Sequence, residues 1–360
     1  MRRPPCPPRP ARSALRAILV LAASTAAACG GGEAEEQAAV EEETEPLNGL
    51  YELPLSLHAV PETRSGGATI EVGHGEIRLD GEQVLALEAD RVAADAVDED
   101  GVIGALRDAL RAASAPRANL SVAATVPYRT TAQVLRTLQE VGIDEASFAV
   151  RPAGEPRPTA RWLPIERFQV VPADAEAIRF RSPARPWSDF AETWRQSYQA
   201  CQGGSVIACD AHPARLAEGG ELAISLFTQG DAMRITYRRV APEQLEGQPD
   251  AEGRAVYRGP APAEEAFRPF GRTAEDPEDD AEPEPATQAV FTVRQGDAAR
   301  EGSSLTGIAE PVCGTTRCAA VVEVNAVTPT MRVVSLIGAA FPRSAPLPEL
   351  AFRLPRPMLP

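Results

Sequence analysis

Residues 119–150 read NLSVAATVPYRTTAQVLRTLQEVGIDEASFAV, and the spacing of apolar residues changes period twice within them. At the start, Leu120 and Val122 face one way in a short strand over 119–124. Pro127 then opens a helix to about Val141, with Val134, Leu135 and Leu138 on its buried face. Gly142 stands where a helix C′ glycine belongs. A further strand follows at 145–150. Upstream, residues 68–84 (ATIEVGHGEIRLDGEQV) place Ile70 and Val72, then Ile77 and Leu79, in alternation. Gly73-His74-Gly75 and Asp80-Gly81 supply turn chemistry, so this stretch reads as a β-hairpin. Residues 102–113 put Val102, Leu106, Ala109, Leu110 and Ala113 on one helical face, and Pro116 closes that element. The order is β-β-α-β-α-β over residues 51–150. It predicts an α+β fold, a small sheet with helices on one face.

Downstream, residues 151–165 are Pro-rich and suit a linker, and a second α+β domain is expected over 166–354. Its first element is a helix at 186–200 (PWSDFAETWRQSYQA) with Trp187, Phe190, Ala191, Trp194 and Tyr198 on one face. An aromatic stripe at that spacing reads as core. Residues 221–229 and 232–240 alternate around Gly230-Asp231 and predict a hairpin. Residues 241–288, with the run EDPEDDAEPEP at 275–285, read as an exposed or disordered insertion. Beyond it come strands at 289–294, 319–325 and 349–354 and a helix near 330–340. The 319–341 run (AAVVEVNAVTPTMRVVSLIGAAF) repeats the strand–Pro–helix order of 119–142. The second domain is therefore either a degenerate copy of the first, which would permit a pseudo-dimer within one chain, or an unrelated α+β domain.

The N-terminus speaks to compartment. Arg2, Arg3, Arg9, Arg12 and Arg16 precede an uncharged run from Ala17 to Ala28 centred on Ile18, Leu19, Val20 and Leu21. As a helix this run would span roughly 18 Å, too short for a hydrocarbon core of about 30 Å. Residues 1–28 read as a signal peptide and the chain as exported. Residues 29–50 read as Cys29, three glycines and an acidic tether (EAEEQAAVEEETEP at 33–46). The segment resembles a bacterial lipoprotein signal, which implies lipidation at Cys29 and a place on the periplasmic face of the outer or inner membrane. Ala26 and Ala28 also fit ordinary A-x-A cleavage, the alternative being a soluble secreted protein with a free N-terminal Cys.

Cys201, Cys209, Cys313 and Cys318 form an even set in an exported body and are disulfide candidates, with three pairings open. Spacings of this kind do not suit a metal site, and none is expected. The formal charge of −15 is mostly connector charge, since the two acidic runs hold 14 of the 51 acidic residues. The cations are arginines without clustering, which argues against nucleic-acid binding. His58, His74 and His212 sit in entry, turn and loop segments. No nucleophile elbow, zinc motif, phosphate loop or dinucleotide fingerprint stands in a supporting context. The expectation is a non-catalytic protein without a cofactor.

Leu53-Pro54, the hairpin run G-E-I-R-L-D-G with Asp80 and Gly81, the turn Val126-Pro127-Tyr128 and the helix ending at Gly142 together resemble the periplasmic domain of the ExbD/TolR biopolymer transport family. The resemblance covers residues 51–150. It implies self-association, such as a homodimer, and contact with ExbB/ExbD/TonB- or Tol-type proteins. The TolR branch implies peptidoglycan binding as the alternative, a structural lipoprotein without transport. Members carry a transmembrane helix with an essential Asp for proton-driven work. Here the lipid anchor expected at Cys29 stands in that place, so the energy-converting step is not implied.

Overall fold

The computed structural model describes residues 53–56, 59–60, 66–152, 160–175, 177–182, 185–202, 207–209, 211–229, 232–241, 255–258, 285–286, 288–294, 313, 318–341 and 348–355. Cys29, the signal segment, the acidic tether, His58 and most of the 241–288 insertion lie outside them. The described residues all fall within one compact unit, Glu45–Pro360. The fold is α+β, with two mixed sheets.

The first sheet starts from β1 (Leu55–Ser56), β2 (Ala68–Gly73), β3 (Glu76–Leu79) and β4 (Glu82–Ala86). Two-residue turns join β2 to β3 and β3 to β4. His74 and Gly75 have φ of 51° and 82°, and Asp80 and Gly81 have φ of 49° and 85°. Paired left-handed residues match the twist of a tight hairpin, and Asp-Gly and Gly satisfy them at least cost. The turn at Asp80 thus leads into a further strand, so the hairpin expected over 68–84 is a three-stranded meander. Its third strand escapes the alternation rule because Val84 and Leu85 are adjacent and half-buried at a sheet edge.

After the meander come α1 (Gly104–Ala113), β5 (Ala118–Val122), α2 (Tyr128–Glu140), β6 (Ala146–Pro152) and β7 (Arg161–Ile165). The sheet order is β1-β6-β5-β2-β3-β4, with β7 antiparallel on β6. Strands β2, β5 and β6 run parallel. One sheet face presents Ile70, Val72, Ile77, Leu120, Val122, Phe148 and Val150, all buried. Leu106, Leu110, Val134, Leu135 and Leu138 of the two helices join the same core. Ala113, expected on the buried face of α1, is exposed. Helix α2 ends as its sequence predicts. Gly142, at φ 86°, donates to Gln139 O, and Ile143 N donates back to Leu138 O, which is the two-bond glycine cap of a helix terminus. Part of the expected linker at 151–165 is sheet: β7 lies beside β6 despite Pro164. Proline lacks only the N–H, so a strand at a sheet border accepts it.

The second sheet contains β8 (Arg167–Val171), β11 (Ile207–Cys209), β12 (Glu221–Gln229), β13 (Ala232–Val240), β15 (Gln288–Arg294), β16 (Ala319–Val324) and β17 (Glu349–Arg353). Its order is β11-β15-β13-β12-β16-β17-β8. Strands β12, β16, β17 and β8 are mutually parallel, and β13, β15 and β11 add antiparallel neighbours. The short β10 (Arg185–Pro186) also pairs with β12.

Helix α3 (Trp187–Gln202) and helix α4 (Thr330–Ala340) pack against this sheet. Trp187, Phe190 and Trp194 are fully buried, and Phe190 stacks on Tyr237 of β13 with ring centroids 4.7 Å apart. Each indole N–H finds a carbonyl, Trp187 at Ala217 O and Trp194 at Ala211 O, both 2.8 Å. A two-stranded ribbon of β9 (Ala177–Phe180) and β14 (Ala255–Arg258) contributes Ile178 and Phe180, which pack with Ala223, Val321 and Ala351 in a smaller second cluster. Residues 255–258, inside the expected insertion, are therefore strand. The main core runs without a break from the first sheet through α2 and α4 into the second.

Candidate functional site

Of the motif positions of the first module, Val126, Pro127 and Tyr128 lie at the boundary between the two sheets. Pro127, in an extended conformation at φ −60°, begins α2, and Pro329 begins α4 in the same way at φ −59°. The two turns face each other as an antiparallel bridge. Tyr128 N donates to Thr328 O at 2.7 Å, and Thr330 N donates to Val126 O at 2.8 Å. Arg129 N donates to Ala326 O and Met331 N to Ala124 O, each at 3.1 Å. Every one of these bonds has its counterpart across the seam. The first N–H groups of a helix have no intrahelical partner and need an acceptor from elsewhere. Here each helix start is capped by the strand-to-helix segment preceding the other.

Side chains seal the seam. Thr330 Oγ1 donates to Val126 O at 2.8 Å. Its single proton is then committed, so the 2.6 Å contact with Thr131 Oγ1 is donated by Thr131. Both threonines are buried. Each helix also reaches a strand of the opposite sheet. Gln139 Oε1 of α2 accepts from Val170 N of β8, and Ser335 Oγ of α4 donates to Leu55 O of β1. Leu53 and Pro54 stay within the first sheet, where their carbonyls accept from Arg151 Nε at 3.0 Å and Arg151 N at 2.8 Å of β6. Asp80 and Gly81 lie away from the seam in the meander, where Asp80 Oδ1 accepts from Thr69 N. Gly142 closes the far end of α2.

Tyr128 is the largest side chain at the seam and is fully buried. Its hydroxyl donates to Arg353 O at 2.9 Å. Burial, with the nearby Glu323 carboxylate, pushes its ionisation well above the usual phenolic range. Glu323 pairs with Arg353 Nε at 2.9 Å, and both side chains are largely buried. Desolvation raises the Glu323 carboxyl above its ordinary value, while Arg353 and Arg238 pull it down without cancelling the rise. A carboxyl raised in the folded state contributes stability below the unfolded value near 4.5 and loses it as pH rises through the folded value. The difference in Tm between the unaltered chain and Glu323→Gln is accordingly expected to be most favourable to the unaltered chain at pH 4 and to shrink toward pH 7. Thermal melts at both pH values read this, and a constant difference contradicts it.

Cys313 and Cys318 are joined in a disulfide and buried. Cys201 and Cys209 fall in α3 and β11, with side chains outside the described set. His74 is exposed in its turn. His212 accepts from Ala214 N through Nδ1 and meets Tyr198 edge-on at 5.3 Å. Among the described residues no group of three or more His, Cys, Asp or Glu is placed to hold a metal, and no helix is long and apolar enough to cross a membrane.

Two features escape sequence reasoning. Thr330, Glu323 and Arg353 are brought to Tyr128 from about 200 residues away by chain pairing that local periodicity does not encode. Next to the seam, two adjoining cavities share Val97, Asp98, Arg129 and Gln133, with volumes of about 240 and 670 Å³. No family model matches the chain, and no curated protein and no solved structure matches it.

Proposed function

We propose that the chain is an exported, lipid-anchored, non-catalytic envelope protein. In this reading its body is two ExbD/TolR-like units fused as an intrachain pseudo-dimer. It serves as an accessory binding component of an ExbB–ExbD- or Tol-type system. The observation that carries the reading is the reciprocal bonding about Pro127 and Pro329, because a two-fold interface joins the same patch to itself. Strand order supports it too. The sequence β1-β6-β5-β2-β3-β4 answers to β8-β17-β16-β12-β13-β15, with the same parallel or antiparallel sense at each step. Leu120, paired with Phe148, answers to Val322, paired with Phe352. A fused dimer occupies its own self-association surface, which leaves sheet edges for partners.

The two outer edges differ. β11 covers β15, whereas among the described strands only β3 pairs with β4. An open edge accepts an added strand through main-chain hydrogen bonds. Val84 falls at the register shift between β3 and β4 and has no residue opposite it. Val84→Pro should therefore weaken strand addition while leaving the ladder to β3. The tagged chain is expected to recover ExbB-, ExbD- or Tol-type components from envelope extracts, and Val84→Pro to recover at least about tenfold less. Absence of all such components from the unaltered chain's eluate sinks the proposal. Retention on isolated sacculi in their place would favour peptidoglycan binding.

A further inference from the structure

We propose that the groove between the 91–101 loop and the first turns of α2 is a binding site for a short zwitterionic peptide, one with a free carboxylate and a free amino group. The larger of its two cavities falls within the roughly 300–1,000 Å³ usual for small-ligand sites.

Charge is sorted along this groove. Arg91 lines the smaller cavity with Val92, Pro127 and Val327, and Arg129 lines both cavities where they adjoin. Both arginines are exposed, and among the described residues neither has an ion-pair or hydrogen-bond partner for its guanidinium. Arg129 also sits at the positive end of α2, where a cation is disfavoured unless an anion joins it. Glu99, Asp100 and Asp174 line the larger cavity, and no described cation forms an ion pair with their carboxylates, although Arg136 Nε donates to Asp100 O. Asp98 lies between but is already used, since its Oδ1 accepts from Asp100 N and Val102 N. Guanidiniums at the Arg91 end and at the junction, with a carboxylate cluster at the far end, match a ligand with opposite charges at its two ends.

Gln133 joins the two ends. It lines both cavities, is 6% exposed, and its carboxamide makes no hydrogen bond to any described residue. Its amide atoms are not sealed from the cavities, so a ligand peptide group would take the place of water there. The walls are also held in place before any ligand arrives. Asp90, at φ 60°, accepts from Gly75 N through Oδ1 and from Thr130 Oγ1 through its carbonyl, fixing Arg91 at the mouth. Ile103 N donates to Thr137 Oγ1, and Arg353 Nη1 donates to Ala173 O and Ala175 O on either side of Asp174. Site preorganisation of this kind lowers the cost of binding.

The groove is independent of any transport partner, and its test uses no envelope component. Trialanine, N-acetyl-trialanine and trialanine amide are titrated into the full chain by calorimetry. Trialanine is expected to bind, and each blocked form to bind at least about tenfold more weakly. Arg91→Ala/Arg129→Ala should abolish discrimination against the amide but keep that against the acetyl form. Asp100→Asn/Asp174→Asn should do the reverse. All four side chains are exposed, and an unchanged circular dichroism spectrum checks that the variants fold. Equal binding of the three peptides, no binding of trialanine at millimolar concentration, or discrimination untouched by either double variant would overturn the assignment.

Discussion

Tyr128→Ala is expected to lower the unfolding free energy by about 3–5 kcal/mol, the cost of truncating a fully buried aromatic into a partly relaxed cavity. The ring is packed at the seam between the sheets, and the hydroxyl is bonded to a β17 carbonyl. Its loss therefore touches both halves. Hydrogen exchange should quicken at β5 and α2 and also at β16 and β17, although Tyr128 belongs to the first half. Tyr128→Phe keeps the ring and leaves Arg353 O without its donor, which costs about 1–3 kcal/mol for a buried group. Urea denaturation of the two variants separates ring from hydroxyl. A loss confined to the first sheet would mean that the seam does not couple the halves.

Trp194→Ala should have an effect of comparable size, about 3–5 kcal/mol, by a different route. Trp194 is the inner member of a buried column in which Phe190 lies 5.6 Å on one side and Tyr198 5.8 Å on the other. Its indole N–H also ties α3 to the segment before β12 through Ala211 O. Truncation removes core volume and leaves that carbonyl unpaired in a buried place. Trp194→Phe retains most of the packing and should recover about half of the loss. The near-ultraviolet circular dichroism of the Trp187–Phe190–Trp194 column should weaken in the alanine variant. A loss below about 1 kcal/mol would show that the site collapses onto the gap.

Particular elements explain where local reading succeeded. The hairpin of β12 and β13 was legible over 221–229 and 232–240 because nine residues on each side alternate around Gly-Asp. α2 was legible because proline, a helical apolar stripe and a left-handed glycine agree on one element. β4 was missed because an edge strand need not alternate. β7 was hidden by prolines, and β11 by its three-residue length. The candidate sites were less legible still. The sequence singles out Val126, Pro127 and Tyr128 as a motif, yet nothing near them indicates that Thr328 and Thr330 complete their hydrogen bonds. Gln133 and Arg129 read as ordinary helix positions, and only the folded loop at 91–101 turns them into the walls of a groove.

The amino-acid order alone determined which segments are helix and which are strand wherever apolar period and turn chemistry coincide, because those preferences act over a few residues. It determined the two hairpin turns, the end of α2 and the aromatic face of α3 on the same ground. Tertiary structure decided that two sheets share one core, that Pro127 meets Pro329, and that Arg353 reaches both Tyr128 and Glu323. Those outcomes depend on which distant backbone donors and acceptors satisfy each other once water is excluded, a condition that no short window of sequence contains.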